Sequence, residues 1–170
     1  MKTRSLFITL VAAFAAFGCG KKDAETGASG SAGGAAAAQE QPAGARTIEL
    51  TAGDNMKFNL QTIEAKPGEQ LKIVLTNIGT QPKEVMGHNW VLLKKGADAA
   101  AFNAAAVTAK ATEYIPEALK DQVVAHTALL GPRKSDEITF TVPSETGDYP
   151  FLCSFPAHYQ VGMKGTLVVK

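Results

Sequence analysis

Histidine and cysteine are scarce in this sequence of 170 residues, which contains three histidines and two cysteines. Copper enzymes such as multicopper oxidases or nitrite reductases need additional histidine-rich centres, so three histidines exclude this class of enzyme. Two cysteines allow at most one disulfide, so a framework of several disulfides is excluded as well. The fold must therefore be held together by a hydrophobic core.

The chain also lacks an excess of either charge. It has 17 basic and 16 acidic side chains, which gives a formal net charge of +1. A nucleic-acid-binding domain needs a basic surface, so this class of partner is excluded. The length suits one folded domain and leaves little room for a second.

Residues 1–18 have the three parts of a secretory signal peptide. Lys2 and Arg4 supply the positive charge, and the apolar stretch 6–17 is shorter than the roughly 20 residues of a membrane-spanning helix. The segment Ala16-Phe17-Gly18-Cys19 resembles the processing site of bacterial lipoproteins, which predicts a lipid anchor on Cys19. The alternative is ordinary cleavage nearby, which would leave a soluble periplasmic protein. Either way the sequence predicts a location outside the cytoplasm, at the periplasmic face of a bacterial membrane if lipidated.

Residues 19–45 form a Gly/Ala-rich segment with no hydrophobic period. Such a segment buries too little apolar surface to offset the entropy of ordering it. We therefore predict a flexible, lipid-anchored linker. As a flexible coil, its roughly 26 residues after Cys19 would span roughly 28 Å.

From residue 46 onward, short alternating segments are separated by Gly, Pro and Asn turns, a pattern typical of a β-sandwich. Between them, residues 97–109 and 112–124 are rich in Ala, Leu, Glu and Lys, which predicts a helical insertion interrupted near Ile115-Pro116. The sequence thus predicts an all-β domain over 46–170, with about eight strands. The clearest predicted strands are 47–51, 56–60, 71–76, 88–93, 136–142, 149–155 and 165–169.

Three soft or borderline metal donors lie close together near the end of the sequence. Cys153, His158 and Met163 fall within one eleven-residue window between two predicted strands. A thiolate, imidazoles and a thioether favour copper of the blue electron-transfer type, and a thioether suits zinc poorly. The second imidazole must come from elsewhere, and His88 is the best candidate. Gly87 precedes it and would let the backbone carbonyl approach the metal.

Each candidate has a plainer interpretation. Cys153 alone could be a buried structural thiol or a nucleophile activated by His158 or His126. His88 and Met163 alone would be ordinary core residues, and His158 a solvent-facing loop residue. Only the combined spacing favours a metal site. His126 stays open between a partly exposed structural histidine and a surface site for electron entry or adventitious metal.

Four motifs resemble the azurin family of blue copper proteins, and the resemblance extends over residues 46–170. Four residues separate His158 from Met163 where azurins have three, and this spacing is similar to that of auracyanins. The resemblance implies an eight-stranded Greek-key cupredoxin sandwich or barrel with one type 1 copper. The motifs are VMGHNWVL at 85–92, AHTALLG at 125–131, CSFPAH at 153–158 and MKGTL at 163–167.

The resemblance also implies roles for individual residues. His88, Cys153 and His158 would be the equatorial ligands, Met163 an axial ligand and Gly87 a carbonyl donor. The backbone N–H groups of Asn89 and Phe155 would bond the cysteine sulfur and tune the redox potential. The apolar surface on which redox partners dock would include Pro82, Met86 and Ala157.

The function implied is one-electron transfer between redox partners outside the cytoplasm, by copper cycling between Cu(I) and Cu(II). The expected partners are cytochromes or copper enzymes that dock briefly on a monomer, and no substrate would be transformed. A copper storage or delivery protein is the alternative. Such a protein would favour exposed clusters of Met or His, and the sequence has none outside the site.

Overall fold

The computed structural model describes residues 44–170. The predicted signal peptide at 1–18, the predicted lipidation of Cys19 and nearly all of the predicted linker at 19–45 lie outside the described residues. Across 44–170, no helix is both long enough and apolar enough to cross a membrane.

The described residues contain eight strands, two α-helices and two short 3-10 helices. The strands are β1 (Arg46–Ala52), β2 (Thr62–Ala65), β3 (Gln70–Asn77), β4 (Val91–Leu93), β5 (Val123–His126), β6 (Ser135–Thr141), β7 (Gly147–Leu152) and β8 (Lys164–Val169). The helices are α1 (Lys83–Met86) and α2 (Ala99–Ala106), and the 3-10 helices are Lys110–Thr112 and Glu117–Gln122.

The strands form two sheets of a sandwich rather than a closed barrel. One sheet has the order β1-β3-β6 and the other β2-β8-β7-β4-β5. The pairs β1-β3 and β2-β8 are parallel, and the other neighbours are antiparallel. This arrangement confirms the predicted all-β sandwich of about eight strands and corrects the alternative of a closed barrel.

The core forms where the alternating residues of the two sheets face each other. In β3, Leu71, Ile73 and Leu75 are fully buried and alternate with half-buried residues, as a strand with one face on the core requires. On the other side of the core, Phe151 of β7 and Trp90, which directly precedes β4, are fully buried, and their rings lie 5.6 Å apart. Because Cys153 is a free thiol, no disulfide joins the described residues, and burial of such side chains supplies the main stabilisation.

The predicted strand at 56–60 is wrong. Only an isolated bridge between Ala52 and Phe58 pairs this stretch with a neighbour. Met56 has a left-handed backbone, with φ of 52°, which breaks the extended conformation at its first residue. Alternation here reflects the burial of Phe58, not a strand.

The helical insertion between β4 and β5 is present but shorter than predicted. Asp98 caps α2, because its carboxylate accepts hydrogen bonds from the backbone N–H groups of Ala100 and Ala101. The prediction of a helix at 112–124 is wrong. This stretch contains a 3-10 helix over Glu117–Gln122, and β5 begins directly after it. The β-branched Val123 and Val124 favour this strand.

The ends of three strands bring the candidate ligands together. The predicted strand 88–93 begins only at Val91, and His88 precedes it in an isolated bridge to Leu130. Strand β7 ends at Leu152 and β8 begins at Lys164. The loop 153–163 therefore connects two adjacent antiparallel strands at the same end of the sandwich as His88.

Candidate metal centre

Three donor side chains converge in the interior of the domain. The potential ligand atoms of His88, Cys153 and His158 all lie within 4.8 Å of one another. The sulfur of Cys153 is 3.4 Å from Nδ1 of His158, and the two imidazole centroids are 4.8 Å apart. His158, the most exposed of the three, has only 2% of its surface accessible. The cluster is thus a compact, nearly water-free set of one sulfur and two nitrogen donors.

The loop 153–163 folds back on itself through its own backbone. The N–H of Cys153 donates to the carbonyl of Met163 at 3.1 Å, and the N–H of Met163 donates to the carbonyl of His158 at 2.9 Å. Ala157, directly before His158, has a left-handed backbone with φ of 70°. Met163 is fully buried in the same hydrophobic cluster as Cys153. The loop therefore brings Cys153 and His158 together and buries Met163 in the same hydrophobic cluster.

A pair of backbone hydrogen bonds fixes His88. Its N–H donates to the carbonyl of Leu130 at 3.1 Å, and the N–H of Leu130 donates back at 2.7 Å. Gly87 is buried beside it, where a Cβ atom would lie 2.7 Å from the carbonyl oxygen of Lys83 and 3.1 Å from the side chain of Leu129. Glycine is therefore required next to His88 because the backbone packs too closely for a side chain.

Burial keeps the three donors uncharged. It lowers the pKa of His88 to about 4, against a smaller opposing effect of the Asp54 carboxylate and the Gly53 carbonyl. Burial, aided by the neighbouring His88, also lowers the pKa of His158 to about 4. Burial raises the pKa of the Cys153 thiol to about 12. At neutral pH the two imidazoles are therefore free to donate their lone pairs.

The His88 ring is buried, and neither nitrogen has a partner with good hydrogen-bond geometry, although the Gly53 carbonyl lies close enough to oppose the fall in its pKa. An unpaired buried polar group is costly, and native proteins rarely leave one without a reason. A metal ion bound by the imidazole would satisfy one of these nitrogens. Together with a thiol and a buried thioether, this orphaned ring fits copper well.

The residues predicted to bond the sulfur lie beside it. The backbone N–H groups of Asn89 and Phe155 oppose the rise of the Cys153 pKa, as donors to a thiolate would. Pro156 has no N–H and adds none. The side chain of Asn89 accepts a hydrogen bond from the N–H of Ser154 at 2.9 Å and donates to its hydroxyl at 2.8 Å.

Sequence reasoning missed Ser154 and the insertion residues Glu113 and Tyr114. The side-chain amide of Asn89 also donates to the carbonyl of Glu113 at 3.3 Å. A fully buried Asn needs partners for its amide, so the sequence signal was the polar Ser154 within an otherwise apolar loop segment. Nothing in the sequence singled out Glu113.

The residues predicted for partner docking lie in the two segments that carry the histidines. Pro82, directly before α1, is exposed, and Met86, the last residue of α1, is half-buried; both precede His88 in the chain. Ala157, directly before His158, is exposed. Val85, which was not predicted, adds an apolar side chain that is 60% exposed. His126 is exposed on β5 and is not part of the donor cluster.

The fold and the donor set define a class of protein, and comparison with known proteins supports it. Residues 45–170 match the family described as copper binding proteins, plastocyanin/azurin family. Because the match covers nearly three quarters of the sequence, the chain belongs to this family. Copper is therefore its cofactor, and the cluster of His88, Cys153 and His158 fits one copper ion.

Within the family, the chain is similar to azurins and auracyanins. It is 43% identical over 83 residues to auracyanin-B of Chloroflexus aurantiacus, a match that covers 48% of this chain and 35% of that protein. It is 41% identical over 91 residues to azurin of Pseudomonas chlororaphis, which covers 52% of this chain and 70% of that protein. The chain thus spans about a third of the auracyanin-B that it matches.

Solved structures agree with this relationship. The dithionite-reduced auracyanin of Roseiflexus castenholzii superimposes with a TM-score of 0.66 at 35% identity, covering 75% of this chain and 99% of that one. Auracyanin A of Chloroflexus aurantiacus, described as a blue copper protein, gives a TM-score of 0.67 at 32% identity, with 75% and 100% coverage.

Proposed function

We propose that this protein transfers single electrons at a type 1 copper centre. The observation that carries the proposal is the buried cluster of His88, Cys153 and His158, whose ligand atoms lie within 4.8 Å of one another. His88, Cys153 and His158 would hold the copper. The buried Met163 and the carbonyl of Gly87 would be its weaker ligands.

Bound copper would supply a one-electron couple, Cu(I)/Cu(II), whose potential depends on its ligands and their surroundings. The chain contributes rigidity and exclusion of water. The backbone hydrogen bonds within the loop 153–163, and those between His88 and Leu130, keep the donors in place. A ligand set that changes little between oxidation states suits fast transfer, and no substrate is transformed in such a reaction.

Electrons would enter and leave at the thin accessible edge of His158. The exposed Pro82, Val85 and Ala157, with the half-buried Met86, provide apolar surface in the adjoining segments. Transient redox complexes use small interfaces, so a patch of this kind would be sufficient. The proposed partners are other redox proteins, such as cytochromes or copper enzymes, and the working form is a monomer.

The proposed location is outside the cytoplasm. The signal-like segment 1–18 and Cys19 support a lipid anchor at the periplasmic face of a bacterial membrane, with the segment 19–45 as the tether. Separation of membrane and soluble fractions tests this proposal. We expect the chain in the membrane fraction and its Cys19→Ser variant outside it. Recovery of both in the soluble fraction would favour the soluble periplasmic form.

The decisive experiment for the function is a titration of the full-length chain with Cu(II), followed by visible absorption. We expect the intense absorption of a copper–thiolate bond to saturate at about one copper per chain. A chemical reductant should bleach it and an oxidant restore it. Tight copper binding without this absorption would contradict the proposal and favour copper storage or delivery.

A further inference from the structure

Two residues of the helical insertion have an unusual backbone beside the metal centre. Glu113 and Tyr114 follow the 3-10 helix Lys110–Thr112 and have consecutive left-handed conformations, with φ of 52° and 65°. Such conformations are uncommon in residues other than glycine, and they persist where the surroundings fix them. The contacts of these two residues therefore indicate what holds them there.

The Glu113 carboxylate has two partners from different segments. One oxygen is 2.7 Å from Nζ of Lys83 in α1, and the other accepts a hydrogen bond from the backbone N–H of Leu129 at 3.0 Å. These contacts, that of Leu129 first, lower the pKa of Glu113. The carboxylate is thus ionised at neutral pH and joins α1 to the segment that precedes Leu130.

Both partners of Glu113 support His88. A Cβ at Gly87 would touch the carbonyl oxygen of Lys83 and the side chain of Leu129, so these two residues flank the backbone next to the histidine. Leu130, the neighbour of Leu129, forms the pair of backbone hydrogen bonds with His88. Glu113 therefore ties together the two segments that fix this imidazole.

Glu113 and Tyr114 also contact residues on the cysteine side of the site. The backbone carbonyl of Glu113 accepts a hydrogen bond from Asn89, whose side chain also bonds Ser154, next to Cys153. The rings of Tyr114 and Phe155 form a T-shaped pair with centroids 5.1 Å apart. The ring of Phe155 in turn lies 4.8 Å from that of His158.

We propose that Glu113 is a positioning residue for the metal centre, which holds the segments carrying His88 and Cys153 in register through Leu129, Lys83 and Asn89. The inference deepens the proposed copper function and rests on it. The ion pair with Lys83 is not enough by itself to explain the role, because both side chains are more than 40% exposed and such pairs contribute little. The backbone hydrogen bond from Leu129 is the contact that counts.

The first test uses the apo form of the full-length chain and needs no copper. Amide hydrogen exchange is measured at Leu129 and Ser154 in the wild type and in Glu113→Ala. We expect exchange at Leu129 to become faster by about tenfold, because its N–H loses a charged acceptor, with a smaller increase at Ser154. Unchanged exchange at both amides would overturn the proposal.

A matched control comes from the same insertion. Glu117 is exposed and its nearest cation is Lys120 at 3.8 Å, so Glu117→Ala makes the same chemical change away from the site. We expect it to leave exchange at Leu129 and Ser154 unchanged. Equal acceleration in both variants would show a general loosening of the insertion and would count against a specific role for Glu113.

The second test uses the copper-loaded chain. We expect Glu113→Ala to slow electron self-exchange several-fold and to shift the visible spectrum, because the ligands are held less firmly. Glu113→Gln keeps an oxygen acceptor for Leu129 and should lie much closer to the wild type. A variant with a lowered melting temperature but wild-type spectrum and self-exchange rate would reduce Glu113 to a stabilising residue and overturn the inference.

The two proposals fail in different ways. If the wild type does not develop copper–thiolate absorption, the electron-transfer function fails, while the apo exchange experiment still tests whether Glu113 positions the donors. If the wild type is blue and Glu113→Ala matches it in both tests, only the inference about Glu113 fails.

Discussion

The two ends of the sandwich make their tight turns with different residues. At the end opposite the metal centre, left-handed positions are occupied by Gly68, Gly96 and Gly147. In the loops around the metal centre and in the insertion beside it, such positions are occupied mainly by residues with side chains. These are Met56, Glu113, Tyr114, Arg133 and Ala157, and they are joined by Gly162 in the ligand loop, with φ of 95°.

This difference follows from what each end must do. Glycine adopts a left-handed backbone without steric cost, so it is the stable choice where a turn only has to reverse the chain. Near the metal, side chains such as those of Glu113 and Tyr114 make contacts that glycine could not make. The surroundings must then hold a backbone that is less favourable by itself.

Charge is distributed unequally as well. The end opposite the metal has exposed ion pairs, among them Arg46 with Glu69 and Lys170 with Glu64. The metal end also has such a pair, Lys83 with Glu113, but it buries three neutral donors and leaves the nitrogens of His88 without a hydrogen-bond partner. The two ends therefore differ mainly in what they bury, because an unpaired buried imidazole costs stability that a bound metal would restore.

The largest expected effect comes from removing the thiol. Cys153→Ser should abolish the intense visible absorption of the copper-loaded chain, because a hydroxyl does not form the copper–thiolate bond that produces it. Circular dichroism should still report a folded β domain. The matched control is Cys19→Ser, which changes the other cysteine and should stay blue. A blue Cys153→Ser variant would disprove the assignment of Cys153 as a ligand.

Removing the outermost imidazole should have the next largest effect. His158→Gly opens a ligand position and removes the edge through which electrons would pass, so self-exchange should slow by more than about tenfold. Added imidazole should restore the spectrum in part. His126→Gly, at an exposed histidine outside the cluster, serves as the control and should exchange electrons normally. Wild-type rates in His158→Gly would place the transfer route elsewhere.

The neutral histidines should make the apo protein sensitive to acid. The pKa values of His88 and His158 are about 4 when folded and about 6.5 when unfolded, so between these values the unfolded chain binds more protons. Their contribution to stability is therefore constant above pH 6.5 and becomes increasingly unfavourable as the pH falls toward 4. Each imidazole would cost on the order of 3 kcal/mol at the acid end.

Urea unfolding of the apo protein at several pH values measures this effect. His158→Gln removes one of the two imidazoles, so the difference between this variant and the wild type isolates its share. We expect the variant to lose less stability on acidification. Parallel pH profiles for the two proteins would contradict the depressed pKa of His158.

The smallest effect concerns the turns themselves. Gly68→Ala places a methyl group in open space, so only the left-handed backbone, with φ of 74°, opposes it. We expect a loss of about 1 kcal/mol in the free energy of unfolding and an unchanged spectrum. Ala157→Gly relieves the corresponding strain next to His158, and should change stability by less than about 1 kcal/mol. If its spectrum and self-exchange rate also match the wild type, the backbone at Ala157 does not help to position the ligand.

The parts of the fold and site that could be predicted from the sequence are those with local signals. Alternating Leu71, Ile73 and Leu75 marked a core strand, and the spacing of Cys153, His158 and Met163 marked one loop between two strands. The pairing of His88 with this loop was inferred from chemistry, because the donor set lacked a second imidazole. His88 and the loop are brought together by the pairing of β4 with β7, not by their proximity in the sequence.

The parts that could not be predicted depend on tertiary contacts. The stretch 56–60 alternates like a strand, yet only one isolated bridge, between Ala52 and Phe58, pairs it with a neighbour, and Phe58 is buried without a strand. Val123 and Val124 follow a segment of helical composition, but they form a strand because β5 pairs with β4. Glu113 gave no signal, because its partners Lys83 and Leu129 are distant in the sequence and meet it only in the folded chain.

The parallel pairing of β2 with β8 has a consequence for how the domain forms. Thr62 lies opposite Thr166, so this pairing must bring together segments more than a hundred residues apart. Contacts between such distant segments are slow to form, because loop closure costs entropy before any contact is gained. The ligand loop lies directly before β8, whereas His88 lies far earlier in the chain. The donor cluster therefore depends on the same slow, long-range contacts as the sandwich itself, and it cannot form ahead of them.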